Sequence, residues 1–188
     1  VLFDVDGKIY IISGARSPYP IEELTPDLKS FVPGVRHQLD ARMGEGHHLY
    51  KINGKYYDVS AIPGATTDQM IARADSIDGP WTVERMVQGE SLGITIVPAA
   101  RATAGDRGLT LHQGGMVDTP SGEWWSVIMS DHGSAGRMVA LVPITWDNDF
   151  PIIGLPGNLR KAPNTWIKPN TGYTQDPKPA FIHDDDFD

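Results

Sequence analysis

Residues 48–61 read HLYKINGKYYDVSA. Two apolar-rich runs flank Asn53-Gly54. Asn-Gly favours a type I′ turn, because both central residues of that turn need positive φ. The stretch therefore predicts a tight β-hairpin, and the same design recurs on either side of it. VLF (1–3) leads through Asp4-Val5-Asp6-Gly7 to KIYIIS (8–13), and GGMVDT (114–119) leads through Pro120-Ser121-Gly122 to EWWSVIM (123–129). The turn glycines Gly7, Gly54 and Gly122 are 47 and 68 residues apart. Antiparallel units repeated at such intervals suggest propeller blades of four short strands each.

The rest of the chain agrees with an all-β reading. Its 15 Pro and 20 Gly leave few windows long enough for an amphipathic helix. IEELTPDLKSFV (21–32) is given one helical turn at most. QMIARADSIDGPW (69–81) reads as strand, turn at Asp78-Gly79-Pro80, strand. GRMVALVPITW (136–146) and FPIIG (150–154) read as two further strands. After residue 160 the composition turns to Pro, Asn and Asp, as in a linker or a surface wrap.

Composition excludes several classes. The 188 residues are 40% hydrophobic and 21% charged, as in a folded domain. A net charge of −8 argues against a nucleic-acid partner, which needs a basic patch. No apolar run reaches the roughly 18–20 residues of a membrane span. Cysteine is absent, which removes disulfides, thiol nucleophiles and thiolate metal sites.

Four places carry candidate chemistry. Glu45 lies between Gly44 and Gly46, which free its side chain from neighbouring bulk. A carboxyl desolvated at the mouth of a β-architecture keeps a proton to donate, although a loop glutamate fits the local sequence as well. His47 and His48 follow it, but neighbours on a strand point to opposite faces and do not easily share one metal ion. His112 precedes Gly114-Gly115, which permit close backbone approach. It fits a ligand to an ion or a substrate hydroxyl, or a hydrogen-bonded strand-entry histidine. Arg137 enters a strand and fits a charge-assisted substrate contact or an exposed cation. Asp4 and Asp6 read as turn residues, since DVDG lacks the downstream glutamate of a calcium loop.

Taken in order, EGHHLYKINGKYY (45–57), ARADSIDGPW (72–81), HQGGMVDTPSGEWW (112–125) and GRMVALVPITWDNDFPIIG (136–154) resemble glycoside hydrolase family 43. The resemblance is to its β-xylosidase and α-L-arabinofuranosidase members. The usual opening motif is E-G-P-H-L-Y-K, and here His47 replaces the proline, a change expected to alter loop shape more than chemistry. The resemblance implies a five-bladed β-propeller that hydrolyses xylosyl or arabinofuranosyl linkages of hemicellulose with inversion. It implies Glu45 as the general acid and His48 as support for the acid loop. It places His112 at the channel, near a possible hydrated structural calcium, and Arg137 at the sugar-binding end. No cofactor is required for the chemistry.

The same resemblance places the general base and a pKa-tuning Asp before Val1. The expectation is therefore an internal fragment of about three blades, inactive alone. Residues 1–170 would be partial propeller, with 171–188 a linker toward a β-sandwich. Its partners would be an oligosaccharide or hemicellulose substrate and the remaining blades and sandwich of the same protein. The compartment is open, with a secreted or periplasmic one favoured. The competing expectation is a non-catalytic carbohydrate- or protein-binding propeller.

Overall fold

The computed structural model describes residues 1–62, 68–87, 111–131, 136–163 and 165–172. Among these residues no helix forms, so none is long and apolar enough to cross a membrane. The strands make three antiparallel meanders. The first runs β1 (Leu2–Phe3), β2 (Ile9–Ile12), β3 (Tyr19–Leu24), β4 (Phe31–Leu39). The second runs β5 (Glu45–Ile52), β6 (Lys55–Ile62), β7 (Asp68–Ala74), β8 (Thr82–Val87). The third runs β9 (Leu111–Asp118), β10 (Trp124–Asp131), β11 (Arg137–Asp147), β12 (Phe150–Leu155), β13 (Asn158–Leu159). Each sheet is built on one of the hairpins read from the sequence. Asn53 and Gly54 hold φ of 51° and 80°, as a type I′ turn requires.

Residues 21–32 hold no helical turn but the end of β3, a tight loop and the start of β4. The buried side chains of Tyr19 and Ile21 alternate with half-buried ones, which is the period of a strand. The loop closes because Thr25 N–H donates to Ser30 O at 2.8 Å and Thr25 Oγ1 donates to Asp27 Oδ1 at 2.6 Å. Leu28 takes the left-handed conformation at its tip, with φ 62°.

The sheets pack face to face, and the two-residue period of β6 divides its side chains between two cores. Tyr57 and Val59 face the third sheet, where they meet Leu111 and Ile128. Tyr56 faces the first sheet and lies edge-on to Tyr10, ring centroids 6.5 Å apart. Burying each such apolar side chain contributes about 1.5–3 kcal/mol, so β6 ties the three sheets together. The strand β5 touches β1 and β2 on one side and β9 on the other. The first strands of the three sheets therefore gather along one side of the stack, where the channel of a propeller runs.

The expected linker begins at 171, and residues 173–188 lie outside the described residues. Just before it, the chain folds back on the third hairpin. Asn170 N–H donates to Glu123 Oε2 at 2.8 Å, and Ser121 Oγ donates to Asn170 O at 3.0 Å.

Candidate active site

Glu45 stands at the first residue of β5, paired with Ala61 of β6. Its two neighbours hold left-handed backbone, Gly44 at φ 107° and Gly46 at φ 69°. Glycine is obligatory at 44, because a Cβ there would come within 2.0 Å of Ala61 O. Three hydrogen bonds from two side chains pin the approach to Glu45. Tyr19 Oη accepts from Gly44 N–H at 2.7 Å and from Met43 N–H at 3.3 Å, and Ser60 Oγ donates to Met43 O at 2.9 Å. The register then slips between Glu45 and His48, a β-bulge that re-aims the strand's side chains.

A second bulge meets the first from β9. The register shifts between Val127 and Met129, and Gln113 takes a left-handed φ of 51°. This swings its amide toward β5, where Gln113 Nε2 donates to Glu45 Oε1 at 2.7 Å. The bulge is held from below by buried Gln69, whose Nε2 donates to Gly114 O at 3.0 Å. The glycines of HQGG permit this packing. A Cβ on Gly114 would lie 2.3 Å from Val127 O, and one on Gly115 would lie 2.7 Å from Tyr50 Oη. Tyr50 Oη in turn accepts from Met116 N–H at 2.7 Å.

His112, beside Gln113 on β9, is buried at 4% exposure. The structure thus sets Glu45 and His112 at the same end of adjacent first strands. His48 lies in the recess toward β9, its Nδ1 3.3 Å from where a Gly115 Cβ would sit. It remains solvent-exposed, yet partial burial pushes its imidazole below the ordinary value. Arg137 opens β11, opposite Asp131 of β10, and so shares the end of the sheet where His112 lies. It stands two strands outward from β9 and its side chain is exposed. Among the described residues no group of three His, Asp or Glu could hold a metal ion. The calcium that the family resemblance implies would lie beside His112.

Two features escaped the sequence reading. One is Gln113, whose reach to Glu45 depends on a bulge that has no sequence signature beyond HQGG. The other is a buried pair on the far face of the acid strand. His47 Nδ1 lies 2.7 Å from Asp58 Oδ2, and the two side chains are 4% and 0% exposed. Burial pushes the Asp58 carboxyl up to about 6, against the pull of the His47 hydrogen bond and charge. Asp58 shares one face of β6 with Tyr56 and Ser60, and only the pairing of β5 with β6 brings His47 to it. His47 and His48 do point to opposite faces. One meets Asp58 toward the first sheet, and the other lies toward β9.

Residues 1–151 match the model of glycosyl hydrolases family 43. The non-reducing end α-L-arabinofuranosidase BoGH43B of Bacteroides ovatus is 26% identical over 179 residues, covering 88% of this chain and 32% of that protein. A β-xylosidase of Formosa agariphila is 28% identical over 165 residues, covering 76% of this chain and 25% of that protein. The solved structure of a bifunctional GH43-CE protein of Bacteroides eggerthii superposes with a TM-score of 0.64 at 32% identity, over 86% of this chain and 20% of its own. The chain thus spans a third or less of the curated relatives it matches.

Proposed function

The chain belongs to glycosyl hydrolases family 43, and from that premise we propose that it forms part of a five-bladed, inverting glycoside hydrolase acting on xylosyl or arabinofuranosyl linkages of hemicellulose. Glu45 is its proton donor. One observation carries the reading: a single carboxyl, freed by two left-handed glycines and oriented by Gln113 at 2.7 Å, at the mouth of adjacent first strands. Gln113 engages Oε1, which leaves Oε2 to carry a proton to the leaving oxygen. Inversion asks for a second carboxylate about 6.5–9.5 Å away to activate water, and we assign no such base to this chain. His112 and Arg137 share the substrate end, His112 through hydrogen bonds to sugar hydroxyls and Arg137 through a charge-assisted one. A hydrated calcium beside His112 would be structural, not chemical.

The test uses the full-length protein with aryl β-xylosides, aryl α-arabinofuranosides and unactivated oligosaccharides. Product configuration is read by NMR in the first minutes. Release of the inverted anomer is expected, with Glu45→Gln losing roughly 10²–10⁴-fold of kcat/KM on oligosaccharides. A retained anomer would overturn the inverting assignment. Full oligosaccharide activity in Glu45→Gln would overturn the acid assignment, whereas absence of hydrolysis by the wild type would favour a non-catalytic binding propeller.

A further inference from the structure

The geometry points to His47 and Asp58 as positioning residues, a buried hydrogen-bonded pair that fixes the bulge aiming Glu45. The inference rests on the reading of Glu45 as the acid. It starts from a mechanical problem. Glu45 sits between two glycines with positive φ, and glycine backbone is the least constrained of any residue. A proton donor on such a segment loses rate unless its carboxyl is held in place, because small misplacements at the reacting centre are costly.

The N-terminal flank is held by Tyr19 and Ser60, as described. The C-terminal flank has His47. Its Nδ1 lies 2.7 Å from Asp58 Oδ2, and with Asp58 ionised the Nδ1–H tautomer donates to that carboxylate. The His47 ring also lies against the Tyr19 ring, centroids 4.5 Å apart and tilted by 59°. Both flanks of Glu45 therefore close on Tyr19. Asp58 and Ser60, which hold the flanks, and Ala61, which pairs with Glu45, all belong to β6. One central strand thus sets the position of the whole acid segment.

Stability does not explain the pair. His47 Nε2 and Asp58 Oδ1 are buried with no hydrogen-bond partner among the described residues. Replacing such a buried polar pair with apolar side chains of similar size is often neutral or stabilising. What the pair supplies instead is direction. It is a short hydrogen bond at a fixed angle, two residues after the acid, on the face turned away from substrate.

The experiment compares three variants of the full-length protein. These are Glu45→Gln, the apolar replacement His47→Phe with Asp58→Leu, and Asp58→Asn, which keeps an acceptor for His47. Each is assayed on a dinitrophenyl glycoside, which leaves without protonation, and on an unactivated oligosaccharide, which does not. Melting temperature is recorded for each. The apolar double variant is expected to melt at or above the wild type, to lose tenfold or more of kcat on the oligosaccharide, and to change less than threefold on the dinitrophenyl substrate, with KM unchanged. Asp58→Asn is expected to stay within threefold of wild type on both. Wild-type behaviour of the double variant, beside a leaving-group split in Glu45→Gln, would overturn the inference and leave the acid assignment standing. Equal losses on both substrates with a lower melting temperature would also overturn it, by showing a structural role alone. Failure of Asp58→Asn on the oligosaccharide alone would contradict the acceptor role and overturn the inference by a route that does not need the double variant to fold. Absence of any split in Glu45→Gln would remove the acid assignment, and the inference with it.

Discussion

The most informative contact at the residue scale is Gln113 Nε2 to Glu45 Oε1, 2.7 Å. It joins two bulges on two sheets and leaves one carboxyl oxygen for proton transfer. Replacing Gln113 by Leu removes the donor while keeping most of the volume. The expected result is a loss of about 5–30-fold in kcat on unactivated oligosaccharides, near the 1–2 kcal/mol of one hydrogen bond to an acidic group. Undiminished kcat would show that Glu45 is oriented by other means. Glu45 and His112 were readable as candidates because glycines beside a carboxyl or an imidazole stand out in a strand-rich sequence. Gln113 was not, since its reach follows from a φ of 51° that no propensity announces. His47 was read as a change of loop shape, and its partner Asp58, eleven residues on, appears only once β5 and β6 are paired.

At the scale of elements, the first hairpin is joined to the second by a carboxylate that the sequence presented only as a turn residue. Asp4 does make the turn, with Gly7 N–H donating to its carbonyl at 3.1 Å. Its side chain is fully buried, however, and accepts from Lys51 Nζ at 2.8 and 2.9 Å and from Tyr56 Oη at 2.6 Å. Burial alone would raise this carboxyl. Hydrogen bonds from Lys51, Tyr56 and Val5 N–H outweigh it and hold Asp4 below its ordinary value. The folded value is therefore depressed. The stabilisation is complete above the unfolded value of about 3.9 and is lost as pH falls through the folded one. Asp4→Ala should cost about 3 kcal/mol at pH 7, because it strips Lys51 of its counter-charge and leaves it only the Tyr56 hydroxyl and ring. The gap in melting temperature between wild type and variant should hold steady above pH 5 and shrink below pH 4. A gap independent of pH would contradict the clasp. The three hairpins themselves were legible because turn glycines and alternating apolar runs are local. The β3–β4 pair was not, because Pro26 and the charged run around it hide a two-residue period visible only in burial.

For the whole molecule, the sequence reading and the structure agree on an all-β propeller architecture, and they do so for a physical reason. Strands such as β6 are buried on both faces, which suits a sheet packed between two others. That property places β6 at the centre and the first strands of the sheets along one side, where Glu45 meets Gln113, the neighbour of His112, and His48 packs toward Gly115. Arg137 belongs to the same end but to an outer strand, a separation that chain order does not reveal. The central claim is that this end of the molecule protonates a leaving group through Glu45. It is tested most directly by a Brønsted plot of log kcat/KM against leaving-group pKa for a series of aryl glycosides, measured on full-length wild type and Glu45→Gln. The account predicts a shallow slope for wild type and a steeply negative one for the variant, with the two lines converging at the most acidic phenols. Parallel lines would contradict it.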